Sequence, residues 1–189
     1  NLTGGCTPKE IIFSSPSANS GEFIWTIGDG SEPIKGQGNS MSHIFTKPGT
    51  YTVQLDYNDA IGCKSNPVLL SPITIFDVPK VDFTLPEEVY ISDPKVQLTN
   101  LTSPIGNNTY NWSITNMPEL ANPKEVHPSV VFSKIGKYNI TLTATSYDGC
   151  KNDLSKTVEV KNNFNIFIPN SFSPNFDGLN DVFIPVFTA

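Results

Sequence analysis

The chain has 189 residues, of which 38% are apolar, 11% aromatic and only 16% charged, a balance that excludes a solvated disordered chain and suits packed cores in about two modules. Its net charge is −6 and all 12 basic residues are lysine, which argues against a nucleic-acid partner, because a phosphate backbone is held by clustered positive charge. No apolar run approaches the roughly 20 residues of a transmembrane helix. The start lacks both Met and a charged-then-apolar leader, so the sequence reads as an interior piece or a processed form of something longer.

In chain order, runs of apolar and β-branched residues predict short strands at residues 11–14, 23–27, 44–46 and 49–57. Residues 68–76 follow, interrupted at Pro72, then 81–85, 96–101, 110–115, 130–133, 136–144, 157–161 and 182–187. In residues 49–57 the alternation is explicit: Tyr51, Val53, Leu55 and Tyr57 point to one face, with Thr52, Gln54 and Asp56 on the other. Sixteen prolines and 13 glycines punctuate these runs, and no window carries an uninterrupted apolar stripe of helical period. The fold class is therefore all-β, built from antiparallel β-sandwiches.

A repeat lies in the spacing. Trp25 and Trp112 are 87 residues apart, as are Phe45 and Phe132, Gly49 and Gly136, Tyr51 and Tyr138, Leu55 and Leu142, Gly62 and Gly149, and Cys63 and Cys150. One offset shared without a gap marks a duplicated module. The expected organisation is a first domain over residues 1–78, a second over 79–162, and the first strands of a third β unit over 163–189. Val78-Pro79-Lys80 is too short for a flexible linker, so two sandwiches placed end to end with little hinge freedom are expected.

Trp25-Thr-Ile-Gly28-Asp29-Gly30, His43-Ile-Phe45 and Pro48-Gly49-Thr-Tyr51-Thr-Val53 resemble the motifs of the polycystic-kidney-disease (PKD) domain, an immunoglobulin-like β-sandwich. Ile27 stands where that family usually has Phe, and Thr26 where it often has Asp. The second module keeps Trp112, Gly136 and Tyr138 but has no Gly-Asp-Gly, and His127 lies three residues before the place that matches His43; it resembles a divergent PKD domain. The resemblance implies that Trp25 fills the core and that Gly28-Asp29-Gly30 forms a turn or bulge with Asp29 bonding local amides. A cation or sugar site at Asp29 and Glu32 is the functional alternative.

The segment from Ile168 to Phe183, which contains Phe172-Ser-Pro174-Asn175-Phe176-Asp177-Gly178-Leu-Asn180-Asp181, resembles the opening of the gliding-motility-associated C-terminal domain. That domain is the type B sorting signal of the type IX secretion system, and Phe176 stands where its motif has Gly. The resemblance implies a parent protein of a Bacteroidota-like Gram-negative bacterium that reaches the cell surface or the medium. Its partners would be the type IX translocon or surface-anchoring outer-membrane proteins, with Phe172, Pro174, Asn175, Asp177, Gly178, Asn180 and Asp181 as the signature turn. The same stretch spaces oxygen ligands somewhat like an EF-hand loop, so calcium at Asn175, Asp177 and Asp181 (with Ser173) stands beside a plain hydrogen-bonded turn, though Ile184 occupies the place of the bidentate glutamate.

Export implies an oxidising compartment. On that reading Cys6 and Cys63 staple the first sandwich, and Cys150, with no cysteine near the start of its own module, remains a thiol; three buried thiols are the alternative. Catalysis has little to build on, because nucleophile, base and orienting group do not come together around the two histidines, His43 and His127. Glu87-Glu88, Asp56 and Asp59 read as solvated acids. The sequence thus reads as the non-enzymatic C-terminal region of an adhesin-like protein, with the modules as stiff spacers or interaction modules for a glycan or protein target. The alternative is the accessory region of a secreted polysaccharide- or protein-degrading enzyme, for which a planar row of exposed aromatics such as Tyr57, Tyr90 and Tyr147 would speak.

Overall fold

The computed structural model describes residues 4–16, 21–36, 38–104, 107–116, 120, 122–163, 165–167, 176, 182 and 186–188, and no helix occurs among them. The chain divides into two compact units, Asn1–Pro79 with Thr145–Asn152, and Lys80–Ala144 with Asp153–Ala189. Both are immunoglobulin-like β-sandwiches.

Unit 1 contains β1 (Gly5–Cys6), β2 (Lys9–Ser14), β3 (Gly21–Ile27), β4 (Ile34–Gly36), β5 (Ser40–Phe45), β6 (Gly49–Tyr51), β7 (Val53–Asp59), β8 (Val68–Leu69) and β9 (Ile73–Phe76). One sheet has the order β4-β3-β7-β8; the others pair β2 with β5 and β1-β9-β6. The β3–β7 ladder is antiparallel and sets Phe23 opposite Tyr57 and Trp25 opposite Leu55. Because side chains alternate across a strand, β3 buries Gly21, Phe23, Trp25 and Ile27 and leaves the residues between them half-exposed. These meet Phe13, Phe45, Val53, Ile73 and Ile75 in one core, against which Leu55 and Tyr57 pack. Each large apolar side chain so enclosed contributes roughly 1.5–3 kcal/mol relative to exposure.

Unit 2 contains β10 (Phe83–Thr84), β11 (Glu88–Tyr90), β12 (Lys95–Gln97), β13 (Thr99–Asn100), β14 (Asn108–Ile114), β15 (Ser129–Val131) and the long strands β16 (Gly136–Ser146) and β17 (Lys151–Lys161), then β18 (Asn165–Phe167) and β19 (Val186–Thr188). The turn linking β16 to β17 groups with unit 1. The main sheet has the order β11-β17-β16-β14, while β10 pairs with β13, β12 with β15 and β18 with β19. Strand β16 buries Tyr138, Ile140, Leu142 and Ala144 on one face, and they close on Trp112, Phe83, Phe132, Val158 and Val160.

Two pairings depart from the antiparallel rule: β1 runs parallel to β9 and β11 parallel to β17. In each unit a short strand near the start thereby lies beside the end of a much later one. Residues 68–76 are interrupted as expected, with Pro72, which lacks a backbone N–H, between β8 and β9.

Candidate functional site

The motif residues of the first copy gather at one end of β3. Trp25 is 2% exposed, and its ring lies 6.0 Å from that of Phe13. The Gly28 amide donates to Thr52 O at 3.0 Å, and a Cβ at Gly28 would lie 2.8 Å from that same oxygen. Glycine is needed there for close approach and not for a turn angle; Gly30, two residues on, takes φ 87°. Asp29 accepts from the Ser31 amide at 3.0 Å and the Ser31 hydroxyl at 2.6 Å. Its other carboxylate oxygen lies 2.7 Å from His43 Nε2 on β5. Partial burial pushes the Asp29 carboxyl up, but the Ser31 hydroxyl and amide together with His43 outweigh it and hold the group below its ordinary value. Asp29 and His43 are side by side, a pairing not seen in the sequence beyond Asp29's local amide bonds; Glu32 is exposed.

The repeat reappears as equivalent hydrogen bonds. Tyr51 Oη donates to Lys47 O at 2.9 Å, and Tyr138 Oη to Lys134 O at 2.8 Å; each is a tyrosine anchoring backbone a few residues upstream, as in many immunoglobulin-like sandwiches. Each ring sits 4.8 Å from a phenylalanine, Phe45 or Phe132. Gly49 opens β6 and Gly136 opens β16. Thr115 N donates to Asn139 O at 3.0 Å as Gly28 N does to Thr52 O. Trp112, also 2% exposed, differs in one respect: its Nε1 donates to Glu125 O at 3.0 Å, whereas Trp25 Nε1 is buried without a partner among the described residues.

The cysteine pairing requires a correction. The disulfide joins Cys6 to Cys150, with a Cα–Cα distance of 5.6 Å, and Cys63 is a free, exposed thiol. The expected Cys6–Cys63 staple fails because Cys63 sits in the turn after β7, where the Asp59 carboxylate accepts the Cys63 and Ile61 amides at 2.7 and 3.0 Å. Cys6, on β1, is instead opposite Phe76. Cys150 is fully buried, and Asn152 beside it donates to Pro79 O at 2.9 Å. Cys150 was a legible candidate, since it shares the repeat position of Cys63, but nothing in the sequence gives the distance to Cys6.

Among the described residues, no group of three or more His, Cys, Asp and Glu side chains is placed to hold a metal ion. Phe172, Pro174, Asn175, Asp177, Gly178, Asn180 and Asp181, and with them the calcium candidates, lie outside the described residues. Their neighbour Phe176 is described: it takes φ 60°, a left-handed backbone angle that favours glycine, at the place where the resembled motif has Gly. Tyr57, Tyr90 and Tyr147 fall on different elements: Tyr57 on β7 against Phe23 at 4.9 Å, Tyr90 on β11 with its hydroxyl on Glu88, and Tyr147, 91% exposed, in the β16–β17 turn. A shallow groove of about 290 Å³ in unit 1 is lined by Ile24, Asp56, Tyr57, Asn58, Lys64, Ser65 and Pro67. Its polar groups are largely engaged within the protein, Asp56 with Gln54, Asn58 with Glu22 and Ser65 with the Tyr57 amide.

Comparison with known proteins bears on these copies directly. Residues 3–73 match the model of the PKD domain. The first copy is PKD-like. Collagenase ColA of Bacillus cereus is 27% identical over 155 residues, which are 78% of this chain and 15% of the collagenase, so the chain spans a small part of that relative. The C-terminal 282-residue fragment of intimin, solved with the intimin-binding domain of its translocated receptor, superposes with a TM-score of 0.51 at 15% identity, covering 91% of this chain and 65% of that one. That likeness is one of fold. The PKD1 domain of Vibrio anguillarum Epp gives a TM-score of 0.35 at 23% identity, covering 46% of this chain and 96% of that domain.

Proposed function

We propose that the chain is a non-catalytic region of a secreted or cell-surface protein, in which a PKD-like sandwich and a second, divergent one serve as spacer or interaction modules. The observation that carries this reading is the pair of separate cores, each built around its own tryptophan and anchored by its own tyrosine. Both histidines are bonded within the protein, His43 to Asp29 and His127 to the Asn100 amide. In this reading residues 163–189 begin a type B sorting domain that the type IX translocon recognises. The parent would then be displayed on, or released from, a Bacteroidota-like cell and carry an adhesive function toward a glycan or protein.

A second reading has its own support: the similarity to a collagenase over 78% of this chain favours an accessory region of a secreted degradative enzyme. The two readings differ in what the modules bind. A glycan array and a collagen pull-down with residues 1–189 bear on both: retention on collagen supports the accessory role, retention on a glycan alone supports interaction modules, and no binding to either supports the spacer. Export is tested apart from binding. Deleting residues 163–189 from the parent is expected to leave it inside the cell, and undiminished export of the deletion variant would overturn the sorting assignment.

A further inference from the structure

Cys63 and Cys150 occupy one position of the repeat, 87 residues apart. Each closes the same turn. The residue four before it, Asp59 or Ser146, donates its amide to the cysteine carbonyl at 2.9 or 2.8 Å. That residue's side-chain oxygen accepts the cysteine amide at 2.7 or 3.1 Å, and the intervening glycine, Gly62 or Gly149, takes φ 90° or 84°. One of these two equivalent cysteines, Cys150, is disulfide-bonded, and its partner is Cys6.

The position of Cys6 is also fixed within the repeat. Cys6 faces Phe76 in the parallel pairing of β1 with β9, and the next amide, Thr7, donates to Phe76 O at 2.9 Å. In the second copy Tyr90 faces Lys161 in the parallel pairing of β11 with β17, and Ile91 donates to Lys161 O at 2.9 Å. In the strand pairing Tyr90 therefore takes the place of Cys6, three residues before the one the 87-residue offset gives, and the observed bond runs from the turn cysteine of the second copy to the opening strand of the first. Translated back by one copy, an equivalent bond from Cys63 would reach a cysteine on the opening strand of another module of this type. Residues 1–189 cannot supply it: the three cysteines are Cys6, Cys63 and Cys150, and two are already joined.

We infer that Cys63 is a disulfide attachment site for a cysteine at the Cys6 position of a further module of this type outside residues 1–189. The bond forms by thiol–disulfide exchange. The Cys63 thiolate attacks a protein or small-molecule disulfide and releases one thiolate of that donor; the partner cysteine's thiolate then displaces the donor's second sulfur. One S–S bond forms and one breaks, and the donor leaves reduced by two electrons with the two protons from the joined thiols. The inference goes beyond the functional reading, since it holds for an adhesin and for an enzyme accessory region alike.

Disulfide mapping of the full parent polypeptide tests it. Free thiols are alkylated at harvest, the protein is digested without reduction, and linked peptides are identified by mass spectrometry. The expected result is that the Cys63 peptide is recovered joined to a cysteine on the opening strand of another such module, alongside the Cys6–Cys150 pair. In the Cys63→Ser parent, that partner cysteine is expected to change from unmodified to almost fully alkylated. A Cys63 peptide recovered alkylated, joined to a second Cys63, joined to Cys6 or Cys150, or joined to a cysteine elsewhere overturns the inference.

Discussion

Replacing Cys6 by serine removes the one disulfide while placing the new hydroxyl at a half-exposed position, so the effect reports on the covalent tie with little added desolvation. The bond spans 144 residues, for which the chain-entropy model gives about 5 kcal/mol at 25 °C. That figure is a ceiling, because a compact denatured chain already restricts the loop. It compares with a total stability of roughly 5–15 kcal/mol for an ordinary domain. Urea unfolding followed by the fluorescence of the two buried tryptophans reads the change. With a slope of roughly 1–3 kcal/mol per molar, the full 5 kcal/mol would lower the midpoint by about 2–5 M, and a smaller loss lowers it in proportion. Cys150→Ser is expected to cost at least as much, since it also leaves a hydroxyl where Cys150 is fully buried. In residues 1–189 alone, where Cys63 is a free thiol on an exposed turn, Cys63→Ser stays within about 0.5 kcal/mol of the unsubstituted chain. A large loss in Cys63→Ser with none in Cys150→Ser would refute the reasoning, because it is the pattern of a Cys6–Cys63 bond.

Other perturbations act on single contacts. Gly28→Ala places a methyl 2.8 Å from the Thr52 carbonyl oxygen and should destabilise unit 1 by about 1–3 kcal/mol in thermal unfolding. Tyr51→Phe and Tyr138→Phe each remove a hydroxyl bonded to an upstream carbonyl and are expected to cost about 1 kcal/mol apiece in urea titrations. The Asp29 carboxyl is held below its ordinary 3.8, so its contribution is present above the unfolded value and disappears as pH falls through the folded one. Urea midpoints measured from pH 6 down to 3 should therefore fall below about pH 4 in the parent and fall less steeply in Asp29→Asn.

The two cores were legible because burial imposes a period: Phe23, Trp25 and Ile27, or Tyr138, Ile140 and Leu142, advertise one buried face through alternation. Strands that bury little were not. β4 is exposed at every residue and the first half of β17, Lys-Asn-Asp-Leu-Ser-Lys, shows no apolar alternation; in β17 Leu154 packs on the core and Asn152, Ser155 and Lys156 add side-chain bonds to the backbone pairing, none of which follows a period. The parallel β1–β9 and β11–β17 pairs were equally hidden, since alternation assigns faces but not the direction of a neighbour. At the site, the Gly28-Asp29-Gly30 turn announced itself through its glycines, whereas the link from Asp29 to His43 depends on β5 lying beside β2, a non-local fact. The cysteine partners failed for the same reason: repeat position showed that Cys63 and Cys150 are equivalent, but only the folded chain brings Cys150 to Cys6.

The central claim, that each copy is a β core with its own tryptophan, is tested most directly by residue-resolved hydrogen exchange of Trp25→Ala and Trp112→Ala. Removing a buried tryptophan costs about 3–5 kcal/mol. The account predicts that Trp25→Ala lowers protection in Gly21–Ile27 and Val53–Asp59 while residues 108–114 and 136–144 exchange as in the parent, and that Trp112→Ala does the reverse. Equal loss of protection in both sets from either substitution would contradict it.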